Sequence, residues 1–165
     1  MNYLQFLSEH GGTLLFGTVT TVKVFAFSFF LFLFVSMVFG LMRLSKNAVI
    51  QGIATVYIEF FRGTSLLVQL FWAYYVLPFF GVSLEAFAAG VLALGLNFGA
   101  YGAEVVRAGI LAVPQGQWEA AHALNFQPAK RMSRIIIPQI FPIILPPISN
   151  LTVELLNTTA VVALV

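Results

Sequence analysis

The sequence predicts an all-α fold, a polytopic transmembrane helical bundle of about four spans. Three observations carry that prediction. Of the 165 residues 60% are hydrophobic and 8% are charged, with a mean hydropathy of +0.96, whereas soluble domains carry roughly 25% charged residues. Uncharged runs recur at the length of about 20 helical residues that crosses a bilayer core about 30 Å thick. Within them apolar positions do not alternate with polar ones, and an isolated strand edge cannot lie in lipid, which excludes a strand reading.

Taken in order, the first span is expected at Val24 to Met42, Phe-rich and uncharged, with its helix starting near Gly17. The second is expected at Gly63 to Leu84, ending near Pro78 and Gly81, and the third at Ala86 to Ala103, between Glu85 and Glu104. The fourth runs from Ile135 onward, interrupted by Pro142, Pro146 and Pro147. The N-terminus, with Glu9 and no basic cluster before its apolar run, does not read as a cleavable signal peptide. Leu151 to Val165 is apolar with polar interruptions at Thr152, Glu154, Asn157, Thr158 and Thr159, and stops without a cap or polar tail, as a C-terminally truncated last element would.

Charge sets the expected orientation. Arg43, Lys46 and Arg62 fall between the first two expected spans, and Arg107, Lys130, Arg131 and Arg134 between the third and fourth. By the positive-inside rule those two loops are cytoplasmic and the N-terminus is outside. Lys23 stands apart, with a stem long enough to snorkel to the outer interface or to face a protein partner. The calculated pI near 9.2 rests on eight bases against six acids, too few groups to imply a nucleic-acid partner. With no Cys, disulfides and thiolate metal sites are excluded.

The third span is unusual in its small residues. Gly95, Gly99 and Ala103 are spaced by four, as are Ala86 and Gly90, and such ridges let backbones approach closely in a bilayer, so this helix is expected in the bundle interior. Asn97 and Tyr101 share one of its faces, where they either hydrogen-bond between helices or line a solute path. Glu154 is the ambiguous acid. An unpaired charge in apolar surroundings costs several kcal/mol by some estimates, so it needs water, a bundle-interior hydrogen bond, Arg107 or Lys23 brought close by folding, or the cation of a zwitterionic solute.

The stretch from Glu104 to Pro138 is longer and more polar than a turn between spans requires. Within it Glu119 to Asn125 reads as a short helix. Pro114 and Gly116 break the chain before it, Asn125 suits the left-handed position that ends a helix, and Glu119 is expected near the positive helix N-terminus. Ala120, Ala121 and Leu124 would form a small apolar face of the kind that inserts into a partner's groove.

These residues resemble the EAA loop of ABC importer permeases. Glu119-Ala120-Ala121 is followed at matching offsets by Asn125, Ile135, Ile137 and Pro138, with Asn125 where Gly is usual and Ile137 where Leu is usual. Glu59-Phe60-Phe61-Arg62-Gly63-Thr64-Ser65-Leu66-Leu67-Val68-Gln69-Leu70 is similar to the polar amino-acid uptake branch, with Ser65 in place of the usual Pro. Asn97 to Arg107 and Ala112 to Ala121 are similar to the same branch, and the match runs from about Gly11 to the C-terminus. Asn157-Thr158-Thr159 replaces a common Lys-Asp-Thr, a departure that leaves the solute open. Thr64-Ser65, Gly95-Leu96-Asn97 and Ala123-Leu124-Asn125 resemble the ectoine/hydroxyectoine permeases.

The resemblance implies a single permease domain over 1–165 with the type I importer (MetI-like) fold in the inner membrane, and a cytoplasmic coupling loop at about 104–138. It also implies three partners besides the lipid bilayer: an ATP-binding cassette ATPase docked at Glu119, Ala120, Ala121, Leu124 and Asn125, a second permease subunit, identical or different, and an extracytoplasmic solute-binding protein. ATP and Mg would sit on the ATPase, with no cofactor on this chain. The residues agree: Gly12-x4-Gly17 is followed by Thr18 rather than the Lys of a phosphate-binding loop, and no catalytic or zinc motif occurs. His122 reads as a solvent- or partner-facing residue rather than a metal ligand, Trp118 as an interfacial anchor, and Glu59 with Arg62 as a cytoplasmic helix pair. Two other classes were weighed. An ion-gradient-driven carrier would show internal repeats and broken helices with paired acids at midplane, and the other is a non-transport membrane scaffold.

Overall fold

The computed structural model describes the backbone of residues 3–164 and the side chains of residue 12 and residues 14–162. Glu9, Gly11 and Val165, on which the readings of the two chain ends drew, lie outside the described side chains. Seven α-helices follow in order: α1 Tyr3–Met42, α2 Ala48–Gly63, α3 Leu66–Phe71, α4 Ala86–Leu111, α5 Gln115–Ala123, α6 Pro128–Arg131 and α7 Ile137–Thr158.

Three unbroken stretches are long and apolar enough to cross a membrane, Leu14–Met42, Ala86–Leu111 and Pro128–Val162. Each exceeds its expected bounds for a local reason. In α1 the hydroxyls of Thr18, Thr20 and Thr21 donate to the carbonyls of Leu14, Phe16 and Gly17, so these polar residues extend the helix rather than start it. In α4 Glu104, expected to end the span, pairs with Arg107, expected in the following loop, Arg107 Nη2 lying 2.9 Å from Glu104 Oε2, and the helix runs on to Leu111.

The second crossing is not the single helix expected at Gly63–Leu84. Ala48–Gly63 and Leu66–Phe80 meet at a 104° bend, with Thr64 and Ser65 both extended. Asn47 starts α2 by accepting a 2.9 Å bond from the Val49 N–H. At the other end of the bent pair Gly81, at φ 85, stops the chain in the left-handed region.

Packing shows that the bent pair crosses once. A Cβ added to Gly95 would lie 2.5 Å from Leu31, one on Gly99 2.5 Å from Val35, and one on Gly40 2.8 Å from Val106. The contacts advance together, so α1 and α4 run parallel and the chain between them must traverse the membrane back. Gly90 meets Val162 and Gly109 meets Ile144, so the last span is antiparallel to α4. The small-residue face thus sits in the centre: 61% of the α4 span is buried, against 33% of α1 and 11% of the last span.

Both π-helical segments, Trp72–Val76 and Met132–Ile136, are centred four residues before a proline, Pro78 and Pro138. A proline in a continuing helix lacks the N–H for residue i−4 and its ring crowds that carbonyl. The wider π turn accommodates both defects, so each helix continues through the proline.

Candidate functional site

A cavity of about 310 Å³ opens at the α2–α3 break, lined by Thr64, Ser65, Leu66, Asn97, Phe98, Tyr101, Glu154 and Thr158. Asn97 and Tyr101 come from α4, and Glu154 and Thr158 from α7, so the three polar residues singled out on separate spans converge on one chamber. Thr64, Ser65, Leu66, Phe98 and Thr158 were not anticipated. Two short hydroxyl residues after Gly63, inside an otherwise apolar run, were the available signal of a helix break. Carboxylate, carboxamide, hydroxyl and phenol around this volume suit a small molecule with a cation and several hydrogen-bonding groups. No cluster of metal-ligating side chains occurs among the described residues.

The break is held by side chains. Asn97 Nδ2 donates to the Phe61 carbonyl at 3.0 Å and to Gln69 Oε1 at 3.1 Å. Gln69 Nε2 donates to the Phe61 carbonyl (3.0 Å), the Thr64 carbonyl (3.3 Å) and Thr64 Oγ1 (2.7 Å), while the Thr64 hydroxyl donates to the Phe60 carbonyl (2.8 Å). The Phe60 and Phe61 carbonyls near the end of α2 and the Thr64 carbonyl at the corner are thereby paired. Asn97 both bonds between helices and borders the chamber, so the two alternatives for it coexist.

The charges settle differently from expectation. Arg62 ends α2, with its guanidinium 5.3 Å from the Tyr101 ring centroid, instead of lying in a loop and pairing with Glu59. Among the described residues the one salt bridge joins Arg107 to Glu104. Arg107 is therefore committed, Lys23 is exposed on α1, and neither neutralises Glu154. Glu154 itself is exposed and borders the chamber.

The long loop proves largely helical. Only residues 112–127 connect α4 to α6, and α5 begins at Gln115, so Glu119 sits mid-helix rather than at the positive end. The helix ends as Asn125 suggested, at φ 55, with Phe126 N–H bonded to the Ala121 carbonyl (3.1 Å) and Asn125 N–H to that of His122 (2.9 Å). That is a Schellman motif with Asn in the glycine position. Glu119, Ala120, Leu124 and Asn125 are exposed, Leu124 at 71%, but Ala121 is buried at 1% and faces inward. It does not share an outer apolar face with Ala120 and Leu124, because residues one apart on a helix point in different directions.

Trp118 likewise turns inward. With Met132, Ile135 and Leu44 it packs on the buried Val106, Ile110, Val113, Ile136 and Ile140, joining α5 to both neighbouring spans. It is a packing residue instead of an interfacial anchor. His122 is exposed, with Nδ1 3.1 Å from Arg131 Nη2. The short helix is thus attached to the bundle and presents its other face outward.

A parallel pair of spans, a broken crossing lining a polar chamber and a short helix seated between the last two spans make up a polytopic helical membrane domain. Residues 33–165 match the family of binding-protein-dependent transport system inner membrane components, and the chain belongs to that family. It is 45% identical over 155 residues to the probable amino-acid ABC transporter permease protein y4tF of Sinorhizobium fredii, covering 90% of this chain and 65% of that protein. It is 39% identical to the L-cystine transport system permease protein TcyB of Bacillus subtilis, covering 87% and 62%. A solved structure described as the crystal structure of an amino acid ABC transporter with histidines superposes with a TM-score of 0.85, at 38% identity, over 99% of this chain and 76% of that one. This chain therefore spans just under two thirds of the length of the two named relatives. The family is one of multi-pass membrane permeases, not of enzymes.

Proposed function

We propose that this chain is the translocating subunit of an ATP-driven, binding-protein-dependent importer for a small polar or zwitterionic solute, an amino acid or an ectoine-like compound. The convergence of Asn97, Tyr101 and Glu154 on one chamber beside the broken crossing carries the proposal. It is supported by the family and by relatives named for amino-acid and L-cystine transport. Glu154 receives the solute's cation, and the hydroxyls of Thr64, Ser65 and Thr158 supply hydrogen bonds. The chamber is one half of a path completed by a second permease subunit.

Residues 1–165 act as one permease domain. The N-terminus lies outside, where a solute-binding protein delivers its cargo. In the cytoplasm the 104–138 region couples to an ATPase that carries ATP and Mg. Glu119, Ala120, Leu124 and Asn125 form the outer face of α5 and touch the ATPase, while Ala121 seats the helix against the spans. Because α5 shares a core cluster with α4 and the start of the last span, movement of the ATPase passes to the spans as rigid-body rocking.

Two measurements test this. Glu119→Lys should abolish co-purification of the ATPase subunit with this chain, and retention would remove the docking assignment. In a reconstituted complex with its ATPase and binding protein, a panel of L-cystine, L-glutamine, L-arginine and ectoine should contain a solute that stimulates ATP hydrolysis. Glu154→Gln should weaken that stimulation at least about tenfold, the loss of one charge-assisted contact. Unaltered stimulation would exclude Glu154 from the solute site.

A further inference from the structure

Gln69 is absent from the wall of the polar chamber. It lies behind the break, facing a separate apolar cleft of about 530 Å³ with Phe61, Val68 and Trp72, and Thr64 borders both spaces. We propose that Gln69 is a positioning residue that sets the selectivity of the chamber by pinning the α2–α3 break, without touching the solute. The proposal rests on reading the chamber as the solute site.

Thr64 and Ser65 are extended, so their N–H groups leave the helical path at the end of α2. The Phe61 carbonyl then receives two side-chain donors, Gln69 Nε2 and Asn97 Nδ2, each at 3.0 Å. Asn97 also donates to Gln69 Oε1, which fixes the carboxamide's orientation: its oxygen faces α4 and its NH2 must face the break. That NH2 reaches acceptors on both sides of the bend, Phe61 on α2 and Thr64 at the corner. A single carboxamide, oriented from the central helix, therefore ties the corner to α4. Thr64, which it holds, lines the chamber together with its neighbours Ser65 and Leu66, as does Glu154 from the last span. Loosening the pin frees that wall while leaving the acid in place, so discrimination should suffer more than assembly.

The 165 residues contain no Cys, so Ser65→Cys places one reporter thiol in them, and its labelling is read on this subunit after separation from the rest of the membrane complex. Its labelling is followed with a cationic, quaternary-ammonium methanethiosulfonate and with an anionic, sulfonate one. With Gln69 present the cationic reagent should react faster, drawn by Glu154. Gln69→Met and Gln69→Leu keep an apolar side chain of similar size and remove both donors without adding a charge. In each, both rates should rise by about fivefold or more and the cation-to-anion ratio should fall towards one, the scale expected for losing a buried hydrogen-bond tether. Asn97→Leu should reproduce the change, and combining it with Gln69→Met should add less than the product of the two, whereas independent packing damage would multiply. Unchanged rates overturn the proposal, as do rates that rise at a constant ratio or effects that multiply. Protection of Ser65→Cys by L-glutamine or L-arginine is scored separately in the chain with Gln69. Its absence counts against the solute reading of the chamber, and the Gln69 comparison is still decided by the two reagents.

Discussion

Along the α1–α4 seam the two backbones approach because side chains are missing. Gly95 and Gly99 leave room for Leu31 and Val35, each helix keeps its backbone ladder, and the Ser36 hydroxyl adds a 3.3 Å bond across to the Gly99 carbonyl. At the α2–α3 break the opposite holds: the backbone leaves its helical path, and the side chains of Thr64, Gln69 and Asn97 replace the lost bonds from three different elements. Both regions obey the rule that polar backbone in lipid needs a partner. The seam satisfies it locally and is tightly packed, so it is hard to deform. The break satisfies it with side chains, Thr64 and Gln69 from nearby and Asn97 from α4, and it is the break that borders the polar chamber.

The contrast can be broken at either end. Gly99→Val is the severest expected change, since the new side chain would collide with Val35 and with the Tyr57 hydroxyl 3.3 Å away. Overpacking of this kind costs about 3 kcal/mol, to be seen as loss of monodisperse protein in detergent. Wild-type yield and melting would show that the seam is looser than its geometry indicates.

Tyr57→Phe probes the link between the two regions. The Tyr57 hydroxyl donates to the Leu96 carbonyl at 2.6 Å, and its ring stacks on Phe39 of α1 with centroids 3.9 Å apart. Removing only the hydroxyl should cost about 1 kcal/mol of unfolding free energy in mixed micelles, because the stack remains. A loss as large as that at Gly99 would mean that α2 is held by this bond rather than by its aromatic contacts. Gly52→Ala should have the smallest effect and the opposite sign. Nothing lies within 4 Å of its added methyl, so replacing a mid-helix glycine should stabilise by roughly 0.5–1 kcal/mol. A destabilisation there would reveal a partner packed against α2.

Much of the candidate site was legible in single residues and much less in their relations. Asn97, Tyr101 and Glu154 stood out because polar groups in apolar spans are costly. Their meeting in one cavity depended on α4 and α7 being antiparallel neighbours. Asn125 could be read as a helix terminator because left-handed preference is a local property, and the Schellman bonds formed there. Ala121 was assigned the outer face with Ala120 and Leu124, and the structure turns it inward; sequence spacing alone does not say which side of a short helix meets the bundle. Arg62 and Arg107 were treated as loop charges because hydropathy averages count a charge as a boundary. An aromatic face and an adjacent carboxylate hold them within helices instead.

The amino-acid order by itself determined that this is a helical membrane protein with about four crossings, a small-residue span at its centre and a capped helix between the last two spans. Those properties follow from hydropathy, residue size and local backbone preference, each of which acts within a few turns of chain. Only the tertiary structure decided that the second crossing bends by 104° at Thr64 and Ser65, that Gln69 and Asn97 close the bend, and that one chamber collects residues from three crossings. The Phe61 carbonyl freed by the break is reached by Asn97 from another span as well as by Gln69, so the site exists where packing brings α4 against the bend.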